Sequence, residues 1–144
     1  MVSVMVGLRE FSPMEKKSPV LSVLVVDDEP LIRWSLAEAL TECGHHVVES
    51  GDAYATRNAL RSAPAGFDVI LLDFRLPDSE DLALLTAIRK LTPRSQVILM
   101  TAYGTPEVIS NALDLGAFRV VTKPFELHEM ANLVTEAAAS TRPS

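Results

Sequence analysis

The chain has 144 residues, 48% hydrophobic and 22% charged, a length and balance that suit one globular domain with a buried core. Its formal charge of -6 argues against unaided binding to nucleic acid or to an anionic membrane, so any DNA target would need another domain or protein to touch it. The single cysteine, Cys43, excludes an internal disulfide and fits a reducing, cytoplasmic setting.

Residues 1–19 read as a flexible leader. Their apolar start breaks at Arg9 and Glu10 and lacks the basic segment and length of a signal peptide, and Met14 would itself make a sensible start. No run in the chain is long enough to span a bilayer. The folded domain is expected over 20–140, with 141–144 as a frayed tail.

Within it, Val23–Val26 is an apolar run that stops at Asp27 and Asp28. Pro30 suits the first turn of a helix, which continues through Ile32, Leu36, Leu40 and Cys43 and ends at Gly44. That spacing predicts a buried, inert thiol for Cys43. Val47-Val48 is a short strand, and Asp52 caps a weaker helix through Ala55, Ala59 and Leu60. The run Val69–Leu72 stops at Asp73, and the loop Leu76-Pro77-Asp78-Ser79 leads to a helix with Leu82, Leu85 and Ile88. Pro93 breaks that helix before Val97–Met100, which stops at Thr101. Thr105-Pro106-Glu107 is a strong helix start, followed by a stripe of Val108, Ile109, Ala112 and Leu113 and a stop at Gly116. Val120–Thr122 leads into Lys123-Pro124, and Leu127, Met130, Val134 and Ala137 mark the last helix.

Five strand–helix pairs with short connections imply an α/β fold: a doubly wound, flavodoxin-like (βα)5 domain with a five-stranded parallel sheet in order 2-1-3-4-5. Ligands of such sheets bind beyond the carboxyl ends of the strands, where Asp27, Asp28, Asp73, Thr101 and Lys123 should converge. Three crowded acids repel one another unless a cation intervenes, and oxygen-only ligands with open water positions suit Mg²⁺. Asp28 and Asp73 are candidate direct ligands, Asp27 a direct or water-mediated one, and the Arg75 backbone carbonyl a further oxygen. With the metal present, the Asp73 carboxylate can act as a nucleophile toward a phosphoryl group, Lys123 can neutralise phosphoryl oxygens and Thr101 can donate its hydroxyl. Each residue taken singly has a plainer reading: a helix cap, a loop acid, a satisfied hydroxyl, a surface charge. Their joint placement on one sheet edge is what points to a site. A cis Lys123–Pro124 bond would aim the lysine inward.

Val25-Val26-Asp27-Asp28-Glu29-Pro30, Leu72-Asp73-Phe74-Arg75-Leu76-Pro77, Met100-Thr101-Ala102-Tyr103-Gly104 and Lys123-Pro124-Phe125 together resemble the signature set of the response-regulator receiver domain, in order and over residues 20–140. The wording is most similar to receivers of sigma-54-dependent, NtrC-type regulators. The resemblance implies that Asp73 accepts phosphate from a sensor histidine kinase or phosphotransfer protein with Mg²⁺ bound. It implies a self-modifying switch rather than a turnover enzyme. Its output surface would be the helix from Thr105, the strand at Val120 and the helix from Glu126, promoting a homodimer or a partner contact that controls transcription.

Two positions depart from the family. Val120 stands where an aromatic residue usually swings inward, and a valine cannot make that swing; Phe118 is expected on the same strand face. Asp81 replaces a glycine after the acceptor loop, which then closes slightly differently. Arg75 and Tyr103 resemble family positions that tune how long the phosphate lasts, and their size then implies a long lifetime. A competing reading is a degenerate receiver locked in one state as an interaction module. A phosphohydrolase of the haloacid-dehalogenase kind would need a second acid where Arg75 stands, and nucleotide binding would need a glycine-rich loop after the first strand.

Overall fold

The structure, a computed structural model, describes residues 19–79 and 82–140. Most of the expected leader, Asp81 and the tail 141–144 lie outside the described residues.

Five parallel strands form one sheet in the order β2-β1-β3-β4-β5, with β1 at Ser22–Val26, β2 at His46–Ser50, β3 at Val69–Asp73, β4 at Gln96–Thr101 and β5 at Arg119–Thr122. The pleat sends alternate side chains to opposite faces, so each apolar run feeds two cores. Leu24, Val26, Ile70, Leu72, Val97 and Leu99 enter one core, beneath α2 (Ala53–Ser62), α3 (Ala83–Leu91) and α4 (Pro106–Asp114). Val23, Val25, Val69, Leu71, Ile98 and Met100 enter the other, beneath α1 (Pro30–Glu42) and α5 (Leu127–Ala139). The three inner strands are buried on both faces, which is why they read as unbroken apolar runs. Edge strands β2 and β5 are more exposed. The expected topology is the observed one.

The helix punctuation works largely as the sequence suggests. The Asp52 side chain accepts from the Ala55 N–H at 2.7 Å, and Thr105 Oγ1 accepts from the Val108 N–H at 3.2 Å. Gly44 and Gly116 follow helix ends at φ of 95° and 105°, conformations that L side chains rarely adopt. Three expectations of burial fail. Cys43 is exposed: α1 ends at Glu42, so the cysteine is the C-cap and leaves the buried stripe of Leu36, Ala37 and Leu40. Leu113 and Leu127 are also exposed, because α4 buries only Ala112 and α5 turns inward from Met130 onward. On α2 Leu60 is buried as expected, with Ala53 and Thr56, whereas Ala55 and Ala59 are half-buried. No helix among the described residues is long and apolar enough to cross a membrane.

Candidate functional site

Asp27 continues the ladder one residue past β1, its N–H donating to Ser50 O at 3.1 Å. Its carboxylate is fully buried, Oδ1 accepting from the Glu29 N–H and Oδ2 from Lys123 Nζ, both at 2.9 Å. Asp28 turns outward and has no hydrogen-bond or ion-pair partner among the described residues. Neither aspartate caps α1, whose N-cap is Glu29 without a side-chain bond. The plainer reading of the Asp27-Asp28 pair therefore fails.

Asp73 closes β3 between the ends of β1 and β4, with its carboxylate 3.3 Å from Lys123 Nζ. Thr101 closes β4 and is buried. Its Oγ1 accepts from the Tyr103 N–H at 2.8 Å, which leaves the hydroxyl proton free to donate. The Lys123 N–H donates to Thr101 O at 2.7 Å just beyond β5, and the Lys123–Pro124 bond is cis. Lys123 Nζ thus meets three carboxylates: Asp27 at 2.9 Å, Glu29 at 3.0 Å and Asp73 at 3.3 Å.

One ammonium does not neutralise this group. Burial, and then the charge of Asp27, push the Asp73 carboxyl up from 3.8 to about 6, against the opposing pull of Lys123. Burial also works against the charge on Lys123, but its hydrogen bonds to Asp27 and Glu29 outweigh that and hold its pKa above the ordinary value. Oxygens of Asp27, Asp28 and Asp73 lie within 4.8 Å of one another, an all-oxygen donor set that fits a hard divalent cation. Asp28, Glu29 and Asp73 open on a cavity of about 320 Å³ that Arg75, Thr101, Tyr103 and Lys123 also line. At its rim the Arg75 guanidinium lies 4.5 Å from the centre of the Tyr103 ring, a cation–π contact that joins two separate loops.

Phe118 and Val120 do not share a face. Val120 pairs with Leu99 and packs on the core beneath α4, as Val108 does, whereas Phe118 packs on the core beneath α5 with Arg119 5.2 Å over its ring. Alternation holds only within a strand, and β5 begins after Phe118. Neither Glu29, though part of the first signature stretch, nor Arg33 is given a role by the sequence. Arg33 Nη1 donates to Asp27 O at 2.7 Å while its Nε meets Glu49 at 3.2 Å. Acidity beside two aspartates could have flagged Glu29. No residue-type signal marks a bond to a backbone oxygen.

The doubly wound α/β domain thus gathers an under-neutralised acid group, a hydroxyl and a lysine at its switch point, a donor set of the right chemistry for a divalent cation. Residues 23–135 match the response regulator receiver domain, and the chain belongs to that family. It is 34% identical over 122 residues to the DNA-binding transcriptional regulator NtrC of Azospirillum brasilense, covering 85% of this chain and 25% of that protein. It is 39% identical over 119 residues to the regulatory protein AtoC of Escherichia coli K12, covering 81% and 24%. The chain thus spans about a quarter of the length of these regulators. A CheY-like receiver domain protein from Methanospirillum hungatei superposes with a TM-score of 0.80 at 26% identity, over 85% of this chain and 97% of that one. NtrX from Brucella abortus does so at 0.79 and 28% identity, over 85% and 28%.

Proposed function

We propose that this domain is a phosphorylation-operated switch of two-component signalling, with Asp73 as its acceptor. The carrying observation is the Asp73 carboxylate itself, buried at the sheet's switch point and charge-matched only in part by Lys123 3.3 Å away. A carboxylate oxygen of Asp73 attacks the phosphorus of a donor's phosphohistidine. The new O–P bond forms as the P–N bond breaks, and the electron pair of that bond returns to the departing imidazole. Lys123 meets the arriving phosphoryl oxygens, and Thr101 donates its free hydroxyl proton to one of them. Asp27, Asp28, Asp73 and the Arg75 carbonyl would hold Mg²⁺, which when bound supplies the positive charge the acid group lacks.

A protein donor is supported by the surface beside the pocket. A groove of about 570 Å³ runs between the start of α1 and the turn after Lys123, lined by Leu31, Ile32, Phe125 and Leu127. Leu31 there is 73% exposed. This is a place for a sensor histidine kinase or phosphotransfer protein to rest while its histidine reaches Asp73. Output runs through the α4-β5-α5 face, where Leu113 stands exposed for a second copy or a partner. The likeness to NtrC-type regulators supports transcription as the output. Arg75 stacked on Tyr103 screens the acyl phosphate from water, so Arg75→Ala should shorten its lifetime; an unchanged hydrolysis rate would remove that role.

Intact-mass spectrometry after incubation with Mg²⁺ and acetyl phosphate tests the reading. Wild type should gain one phosphoryl group, and Asp73→Asn or metal-free protein should gain none. A folded, Mg²⁺-binding wild type that takes up no phosphate would leave only a locked interaction module.

A further inference from the structure

The loop that leaves the acceptor strand is fastened at a point the phosphoryl chemistry does not use. The first N–H groups of α2 have no partner inside the helix. Asp52, just before it, takes one of them, from Ala55 at 2.7 Å. Two others go to a residue remote in sequence: Asp78 Oδ1 accepts from the Ala53 N–H at 2.7 Å, and Oδ2 from the Tyr54 N–H at 3.0 Å. Each oxygen of one carboxylate thus holds a different first-turn amide.

Asp78 belongs to the loop that follows Asp73. At the loop's start, the Phe74 N–H donates to Met100 O at 2.8 Å. In its middle, Leu76 is buried in the core, and the Ser79 N–H closes a turn onto Leu76 O at 3.4 Å. Among the described residues, the Asp78 carboxylate is the last of these fixings, and its hydrogen bonds reach another helix. Chiefly the bond from Ala53, with those from Tyr54 and the nearby charge of Arg57, holds its carboxyl below the usual carboxylate range. The clamp is therefore charged wherever Asp73 is.

We infer that Asp78 is a positioning residue for the acceptor site: by clamping the loop to the N-terminus of α2 it fixes where the Arg75 backbone stands beside Asp73. This rests on the proposed Mg²⁺-dependent acceptor reading. The structure supplies its own control. Asp52 and Asp78 both end on first-turn amides of α2, but only Asp78 is carried by the acceptor loop. Removing either weakens the helix start, and only one frees the loop.

The experiment compares wild type with Asp78→Ala, Asp78→Asn, Asp78→Glu and Asp52→Ala. Calorimetry reads the affinity for Mg²⁺ alone, and hydrogen exchange reads the amides from Phe74 to Ser79 in metal-free protein. Asp78→Ala should weaken Mg²⁺ about tenfold, as expected for a group standing behind metal ligands. Its loop amides should exchange about tenfold faster, since a local opening has become easier. Asp78→Asn, which keeps the volume, should follow it in direction, and Asp78→Glu should regain part of the affinity. Asp52→Ala should leave Mg²⁺ affinity within about twofold of wild type while lowering thermal stability as much. Unchanged Mg²⁺ affinity in Asp78→Ala, or an equal loss in Asp52→Ala, would overturn the positioning role. A wild type that binds no Mg²⁺ would instead bring down the acceptor reading itself.

Discussion

The two ends of the sheet are made from the same strands and treat their polar groups in opposite ways. At the amino end, polar side chains are each paired off with a single backbone group of another segment. His45 Nδ1 accepts from the Leu21 N–H at 3.1 Å, Asp68 Oδ2 from the Ser22 N–H at 2.8 Å, and Ser95 Oγ donates to Phe67 O at 2.5 Å. At the carboxyl end, Asp27, Glu29 and Asp73 share the ammonium of Lys123, and Asp28 beside them has no partner among the described residues. A parallel sheet needs only hydrogen-bonded closure at its ends, so the charge concentrated at one of them is a cost to folding. The contrast separates what holds this domain together from what it is for.

The largest test of that contrast is Lys123. Its side chain is 12% exposed and its partner Asp27 fully buried, so Lys123→Met strands a buried carboxylate. Thermal or urea unfolding should show a loss of about 3 kcal/mol, together with slowed phosphoryl uptake. A loss confined to uptake would mean that the acids rearrange freely. Asp73→Asn should move stability the other way. Its carboxyl stands at about 6 in the fold against 3.8 ordinarily, so the unfolded chain releases this proton first as pH rises. The penalty is absent below about pH 4, grows through that window and is complete above about pH 6. In metal-free protein near neutral pH, Asp73→Asn should therefore gain up to about 3 kcal/mol, fading as pH falls toward 4. A flat difference across pH would show that Asp73 carries no such strain.

Much of this was legible in the sequence, for a physical reason. Strands buried on both faces must be apolar throughout, so the residue at which each run stops marks the sheet's edge; Asp27, Asp73 and Thr101 announce themselves that way. Helix stops at Gly44 and Gly116 are legible because few other residues take that backbone conformation. Side-chain direction at element ends was not. Cys43 and Phe118 each lie one residue outside the element whose periodicity placed them, and periodicity ends with the hydrogen-bonded ladder. Bonds from side chains to a distant backbone are also silent in sequence. Arg33 to Asp27 O and Asp78 to the amides of α2 join segments that only the fold brings together.

Smaller effects belong to the amino end. Ser95→Ala leaves the buried Phe67 carbonyl without its partner and should cost about 1.5 kcal/mol, with Mg²⁺ affinity and phosphoryl uptake untouched. His45 gives the finest test, because acid should act on it with the opposite sign to Asp73. Burial holds its pKa below 6.5, with the charge of Asp68 pulling partly back, so the imidazole is neutral in the fold and Nδ1 is free to accept from Leu21. As pH falls through 6.5 the unfolded chain takes up this proton before the folded one, and stability is lost. The loss should be about 1 kcal/mol, the net worth of one hydrogen bond whose acceptor becomes a donor. It is best measured in the Asp73→Asn background, where the opposing drift from the other end is gone. There, unfolding should become easier as pH falls through 6.5, and His45→Asn, which keeps an acceptor but cannot titrate, should remove that slope. If the slope persists, the acid sensitivity lies elsewhere, and the amino end is not the neutral counterpart that its hydrogen bonds describe.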